Sequence, residues 1–289
     1  MNDVTSRSIL VTGASTGIGK AAVLALLAKG LRVFAAVRSE RAAADLARAD
    51  LAGTDGRLET LELDVTNAEQ IRAAVIRITP AVGDAGLWGL FNNAGIAVSG
   101  PLECLPIDDL RRQLEVNVIG QVAVTQAFLP LLRKTRGRIL STGSIAGFFA
   151  APALGAYSIS KHAMEAFSDA LRRELRPWRI EVSLLEPGAI ATEIWQKGAS
   201  DFDGIMRDPP PGLVENYGGL VDALRKAAAS SAQHASPTEL VTRDVVHAFT
   251  ATRPRTRYRM GKDSTSRKLI SRLPDRWADA LVAKALGWG

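Results

Sequence analysis

The sequence predicts an α/β protein with one doubly wound parallel sheet, helices on both faces, and a C-terminal helical extension. Three observations lead there. Short apolar runs of strand length alternate with longer helical stretches along the 289 residues. A glycine-rich junction, Gly13 to Gly19, joins the first apolar run to the first helical stretch. Residues with useful chemistry fall just after the apolar runs, where such sheets bind ligands.

Ser8-Ile9-Leu10-Val11-Thr12 opens the series as a strand over 8–12, and Ala21-Ala22-Val23-Leu24 belongs to a helix over 18–29. Further strands are expected at 31–37, 57–63, 86–92, 137–142, 180–185 and 257–260. Helices are expected at 40–51, 67–80, 108–135, 156–176 and 238–252. Crossovers between parallel strands are right-handed, which distributes the helices over two layers. Residues 189–236 break the rhythm with Pro209-Pro210-Pro211 and Gly218-Gly219 among Ile194, Trp195, Phe202 and Ile205, and read as a substrate lid or loop. Residues 264–287 carry Leu269, Leu273, Trp277, Leu281 and Ala285 at four-residue intervals, interrupted at Pro274. They read as two short amphipathic helices, the second stopping before Gly287. No linker or repeat divides the chain, so 1–289 reads as a single domain.

Hydrophobic residues make up 47% of the chain, enough for a substantial core. A single cysteine, Cys104, excludes an internal disulfide framework, and three scattered histidines argue against a metal centre. The N-terminus lacks the pattern of a signal peptide and no long uninterrupted apolar run stands out, so a cytoplasmic protein is expected. Net charge is +6, and residues 243–289 hold 11 Lys/Arg against 4 Asp/Glu. The densest part is Arg253-Pro254-Arg255-Thr256-Arg257-Tyr258-Arg259, read as a solvated surface strip. It has no interleaved aromatics beyond Tyr258, so nucleic acid is not expected as a partner.

The junction Gly13-Ala14-Ser15-Thr16-Gly17-Ile18-Gly19 has the spacing Gly-x-x-x-Gly-x-Gly in a strand–turn–helix context. Glycines there permit a tight turn and let a pyrophosphate approach backbone N–H groups and the positive helix end. A Rossmann-type nucleotide site follows from that arrangement. Tyr157 and Lys161 stand four residues apart on a helical stretch, so both side chains can enter one pocket. A free phenol has a pKa of about 10. A fixed ammonium beside it is expected to lower that value toward the working range. Ser144, upstream, can hold the substrate oxygen that gains or loses the same proton.

These two motifs, in this order, resemble the short-chain dehydrogenase/reductase family. Further matches are Asp64-Val65 after Leu61-Glu62-Leu63, Asn92-Asn93-Ala94-Gly95, Asn117 within Leu114-Glu115-Val116-Asn117, and Pro187-Gly188 with Ile190 and Thr192. The resemblance covers roughly residues 5 to 195 and reaches the C-terminus more loosely. It implies an oxidoreductase in which Tyr157 protonates the developing alkoxide, Ser144 holds that oxygen, and Lys161 also reaches the nicotinamide ribose. Asn117 would anchor a water that relays protons to the lysine, or plug a helix kink, or both. Ser15, Thr16 and Ile18 would join the glycines at the phosphates. Asp64 with Val65 would meet adenine, and Asn92, Ala94 and Gly95 the adenosine side. Pro187, Gly188, Ile190 and Thr192 would fix the nicotinamide end. The segments Ala166–Leu175 and Val182–Gly188 look like the retinol and hydroxysteroid dehydrogenase branch.

Cofactor choice is read at the end of the second strand, Ala36-Val37-Arg38-Ser39. An NAD site needs a carboxylate for the ribose hydroxyls, and neither Ala36 nor Val37 supplies one. Arg38 offers a planar guanidinium suited to a 2′-phosphate, with Ser15 and Ser39 as added donors. NADP(H) is expected, with NAD(H) as the alternative. The loop from Ile145 to Ala156 carries no charge, and with the lid it supplies Phe148, Phe149, Leu154, Ile194 and Trp195 as an apolar wall. Such a wall suits a bulky steroid, retinoid or lipid-like substrate. A broad carbonyl or 3-oxoacyl reductase, or a silent nucleotide-binding regulator, are the alternatives. Apolar residues on more than one face of 108–135 and 156–176 predict a homodimer or homotetramer. The basic tail is expected to fold over the lid, in preference to lying on an anionic membrane surface.

Overall fold

The protein is described by a computed structural model covering residues 7–48, 56–190, 206, 209, 211–233, 235–261 and 263–288. Among these residues, β1 (Ser8–Val11), β2 (Arg32–Val37), β3 (Leu58–Glu62), β4 (Gly89–Asn92), β5 (Arg138–Thr142), β6 (Glu181–Pro187) and β7 (Arg257–Met260) form one sheet. Its order is β3-β2-β1-β4-β5-β6-β7, and every pairing is parallel. The order reverses between β1 and β4, which opens a crevice beyond their C-terminal ends.

The strands read as nearly continuous apolar runs because each face of the sheet has its own core. Ile9 and Val11 face one cluster and Leu10 the other; Val33, Ala35 and Val37 alternate with Phe34 and Ala36 in the same way. The first cluster lies under α1 (Gly17–Leu27) and α8 (Thr238–Thr250), which supply Leu26, Val245 and Phe249. The second lies under α3 (Ala68–Val82), α5 (Gly120–Thr135) and α6 (Gly155–Glu174), which supply Ile78, Phe128, Leu132 and Leu171. The remaining helices are α2 (Glu40–Ala47), α4 (Ile107–Leu114), α7 (Leu213–Gln233), α9 (Ser264–Ile270) and α10 (Asp275–Leu286).

Four expectations need correction or refinement. The helix expected over 108–135 is continuous from Ile107 to Thr135 but contains one π-helical turn, Glu115–Ile119. That run is also long and apolar enough to cross a membrane, although its Val124, Phe128, Leu131 and Leu132 are buried against the sheet. Part of the segment read as an irregular lid is the helix α7, whose length outweighs the helix-weakening Gly218 and Gly219. The basic strip is only half solvated. In β7, Tyr258 and Met260 enter the first core, which turns Arg257 and Arg259 onto the opposite face toward acidic residues. The two tail helices form where expected, with Pro274 at the N-cap of α10 and Gly287 in the left-handed region after it. α9 packs on the turn Ile145–Gly147 and α10 on α7. Trp195 and Phe202, the expected partners of that tail, lie outside the described residues.

Candidate active site

The crevice holds a cavity of about 220 Å³ whose wall begins with the glycine junction. Gly13 adopts φ 63°, and a Cβ there would come within 2.7 Å of Ala94 Cα. At Gly19 a Cβ would run into the Gly13 carbonyl. The turn therefore accepts no larger residue at either place, and the cradle it leaves suits a pyrophosphate above the first turn of α1. Ser15, Thr16, Gly17 and Ile18 line it; Gly19 is buried beneath. Thr12 and Asn93 brace the cradle from the β4 side. The Thr12 hydroxyl accepts from Asn93 N at 2.9 Å and Ala94 N at 3.1 Å. Asn93 Nδ2 donates to the carbonyls of Thr12 and Gly13 at 3.0 and 3.1 Å.

Arg38, Asp64, Val65, Ala94 and Gly95 line the same cavity, as do Pro187, Gly188 and Ile190 at the other end. Ser39 instead caps α2, its hydroxyl accepting from Ala42 N at 3.3 Å. Asn92 does not reach the cavity. Strand alternation turns it inward, where Nδ2 donates to Thr125 Oγ1 at 2.8 Å, and its neighbour Asn93 takes the wall. A residue in that motif was legible, but its parity was not. Gly188 is seated against the tail, where a Cβ would collide with the Asp263 carboxylate. Thr192 lies outside the described residues, as do Ile194 and Trp195.

Ser144, Tyr157 and Lys161 meet in the cavity, each buried to within 5% of full enclosure. Ser144 starts the turn after β5, and its hydroxyl accepts from Ala146 N at 3.1 Å and is hydrogen-bonded to Tyr157. Lys161 Nζ donates to the Thr142 carbonyl at 2.7 Å and stands 5.5 Å from the Tyr157 ring centroid. The expected lowering of the phenol pKa is not what the site produces. Burial pushes Tyr157 up to about 12, and the Ser144 hydrogen bond offsets only part of that. Burial also pulls Lys161 down to about 8. Removing each group from water costs its charged form more than the neighbouring dipoles return.

Asn117 stands behind the cavity rather than on its wall. Its Oδ1 accepts from Ile96 N at 2.9 Å, and Nδ2 donates to Ile96 O at 3.0 Å and Ser160 Oγ at 3.1 Å. Gln113, a residue the sequence reading passed over, braces the same strip through Ile96 O and Val98 N. Asn117 thus plugs the π-helical turn and fixes the backbone next to Gly95. Phe148, Phe149 and Leu154 do not line the cavity. Lys268 Nζ lies 4.2 Å from the Phe148 ring centroid and Arg267 Cζ 4.9 Å from that of Phe149. These aromatics seat α9, the first helix of the C-terminal tail, beside the Ser144 turn.

The profile of the short chain dehydrogenase family matches residues 7–202. The chain belongs to that family. It is an oxidoreductase of CH–OH and C=O groups. It is 48% identical over 194 residues to a 3-amino-tetrahydro-pyrrolizinone reductase of Xenorhabdus hominickii, a match spanning 67% of this chain and 65% of that one. It is 39% identical to the 17-beta-hydroxysteroid dehydrogenase type 6 of Bos taurus, over 96% of this chain and 88% of that one. It is also 39% identical to an NADPH-dependent 3-dehydrocapnine reductase of Ornithobacterium rhinotracheale, over 97% of both chains.

Proposed function

We propose that this oxidoreductase interconverts a hydroxyl and a carbonyl on a bulky hydrophobic substrate with NADP(H), through Ser144, Tyr157 and Lys161. The observation that carries the reading is their convergence in the cavity that also contains the glycine cradle. A bound nicotinamide supplies or accepts the hydride. Tyr157, which burial keeps protonated at neutral pH, gives its proton to the oxygen of the reduced carbonyl. Ser144 holds that oxygen by hydrogen bonding. Lys161, charged below about 8, orients by its bond to Thr142 O and stabilises the phenolate left behind. Arg38 meets the 2′-phosphate, a role in keeping with the NADPH dependence of the dehydrocapnine reductase.

The steroid dehydrogenase relative supports a bulky substrate. A broad carbonyl reductase is the second reading, favoured by the displacement of Phe148 and Phe149 from the cavity wall to the tail. The whole chain acts as one domain in either case, because β7 extends the sheet beside β6 and Asp263 of the tail stands against Gly188 of the cavity wall. The chain pairs with copies of itself across α4, α5 and α6, where Ile119 and Ile159 remain exposed.

Absorbance at 340 nm with NADPH or NADH and a panel of ketones, steroids included, tests the reaction and separates the two readings. Tyr157→Phe should lower kcat by at least about 100-fold with cofactor binding nearly unchanged, because it removes the proton and little volume. A smaller loss removes Tyr157 from the acid role.

A further inference from the structure

Arg257 belongs to a run that reads as surface charge, yet its guanidinium lies between two elements of the active site. Its Nη2 donates to Glu165 Oε2 at 2.8 Å and to Asp169 Oδ1 at 3.1 Å, and its Nε pairs with Glu186 Oε1 at 3.1 Å. Glu165 and Asp169 follow Lys161 by one and two turns of α6, so they share its face. Glu186 is 1% exposed and directly precedes Pro187 and Gly188 on the cavity wall. A third piece meets the same spot. A Cβ on Gly147, in the turn begun by Ser144, would lie 2.9 Å from Lys161 O and 3.1 Å from Glu165 Oε1.

We propose that Arg257 is a positioning residue for the reaction, clamping the exit of β6 to the helix that carries Tyr157 and Lys161. The inference rests on the function proposed above. Arg257 presents a planar fork that bonds carboxylates from two directions, which a flexible ammonium cannot reproduce. The neighbouring charges show what its loss would leave. Glu186 keeps Arg259 at 3.0 Å, and Asp169 keeps Arg172 at 2.9 Å. Glu165 would retain only the through-space influence of Lys268 among the described residues. A half-buried carboxylate stripped of its partner, with Glu186 repelling it, drives α6 and the β6 exit apart. The proton donor then moves relative to the cofactor wall, and a displacement of about 1 Å is enough to cost about 100-fold in rate.

The test compares Arg257→Met, Arg257→Lys and the double variant Glu165→Gln/Arg257→Met in the full chain. Arg257→Met should speed amide hydrogen exchange at 145–149 and 185–190 by about tenfold or more, leaving β1 and β2 at wild-type rates. Its kcat should fall by about tenfold or more while KM for the carbonyl changes less than about threefold. Arg257→Lys should lie between. The double variant, freed of the stranded carboxylate but still without the clamp, should recover part of the loss and remain at least about threefold below wild type in kcat. Unchanged exchange or wild-type kcat in Arg257→Met, or a double variant at wild-type values in both readouts, each overturns the proposal. Should Arg257→Met not fold, Arg257→Lys is judged by the same two readouts. If the wild type reduces none of the ketones, the functional reading falls, and the exchange experiment still decides whether the clamp exists.

Discussion

Lys161 and Tyr157 show how far burial can outweigh a neighbouring charge. Moving a phenol from a pKa near 10 to about 12 corresponds to about 3 kcal/mol, more than the about 1 kcal/mol a typical hydrogen bond returns. The phenol is therefore held as an acid across the neutral range, and the titrating member of the pair is Lys161 at about 8. Its folded pKa lies below the free value, so the ammonium is present below about 8 and is lost as pH rises through that point. The reduction rate should accordingly fall above pH 8. In Lys161→Arg the charge persists to high pH. Its residual rate should then run flat from pH 7 to beyond 9, and a surviving inflection near 8 would assign that pKa to another group. Arg38 offers a second check at this scale. Arg38→Asp should shift the NADPH-to-NADH ratio of kcat/KM toward NADH by about tenfold or more, for a charge-assisted bond worth about 1.5–3 kcal/mol. An unchanged ratio would move the cofactor determinant elsewhere.

At the scale of elements, the site depends on a helix that is not quite regular. The π-helical turn Glu115–Ile119 offers Asn117 to the backbone of Ile96, and this strip forms the cavity wall beside Gly95. Asn117→Ala would leave the Ile96 N–H without its acceptor, while Gln113 still donates to Ile96 O at 2.9 Å. The expected cost is about 1–3 kcal/mol of stability, read from the urea midpoint. Asn117→Asp keeps the Oδ1 acceptor but sets a carboxylate oxygen against Ile96 O in place of the Nδ2 donor, and should lose at least as much. A loss below about 0.5 kcal/mol in Asn117→Ala would mean that the bond to Ile96 N is not the one that matters. Whether a side chain at this position carries a proton relay or plugs a kink could not be read from the motif, since both demand a short polar residue. The turn itself comes from a register shift inside an otherwise unbroken helical pattern, which leaves no mark in the apolar spacing.

For the molecule as a whole, the apolar residues that suggested self-association need sorting by burial. Phe128, Leu132, Met164 and Leu171 are buried within the chain itself, which leaves Ile119 and Ile159, 53% and 44% exposed, on adjoining helices. Light scattering should give two or four times the chain mass of 30.8 kDa, and Ile159→Asp should lower it. A monomeric wild type would refute the pairing. The C-terminal tail is integrated at this scale too. α9 is held over Phe148 and Phe149 by Arg267 and Lys268, and Asp263 seats Gly188 at the cavity wall. Side chains chosen as a substrate wall thus became the footing of the tail.

The strands, most helices and the grouping of Gly13, Ser144, Tyr157, Lys161 and Gly188 at one edge of the sheet were determined by local pattern. Strand and helix periodicity is a property of neighbouring residues, and a parallel sheet places every strand end on the same side. Three matters waited for tertiary structure. The facing of Asn92 and Asn93 depends on strand parity, and a one-residue step exchanges the two sides of a sheet. The pKa values of Tyr157 and Lys161 depend on how much water the folded chain excludes, which adjacent residues do not specify. The partners of Arg257 lie 92, 88 and 71 positions away in Glu165, Asp169 and Glu186, and only packing β7 against β6 and α6 makes them neighbours.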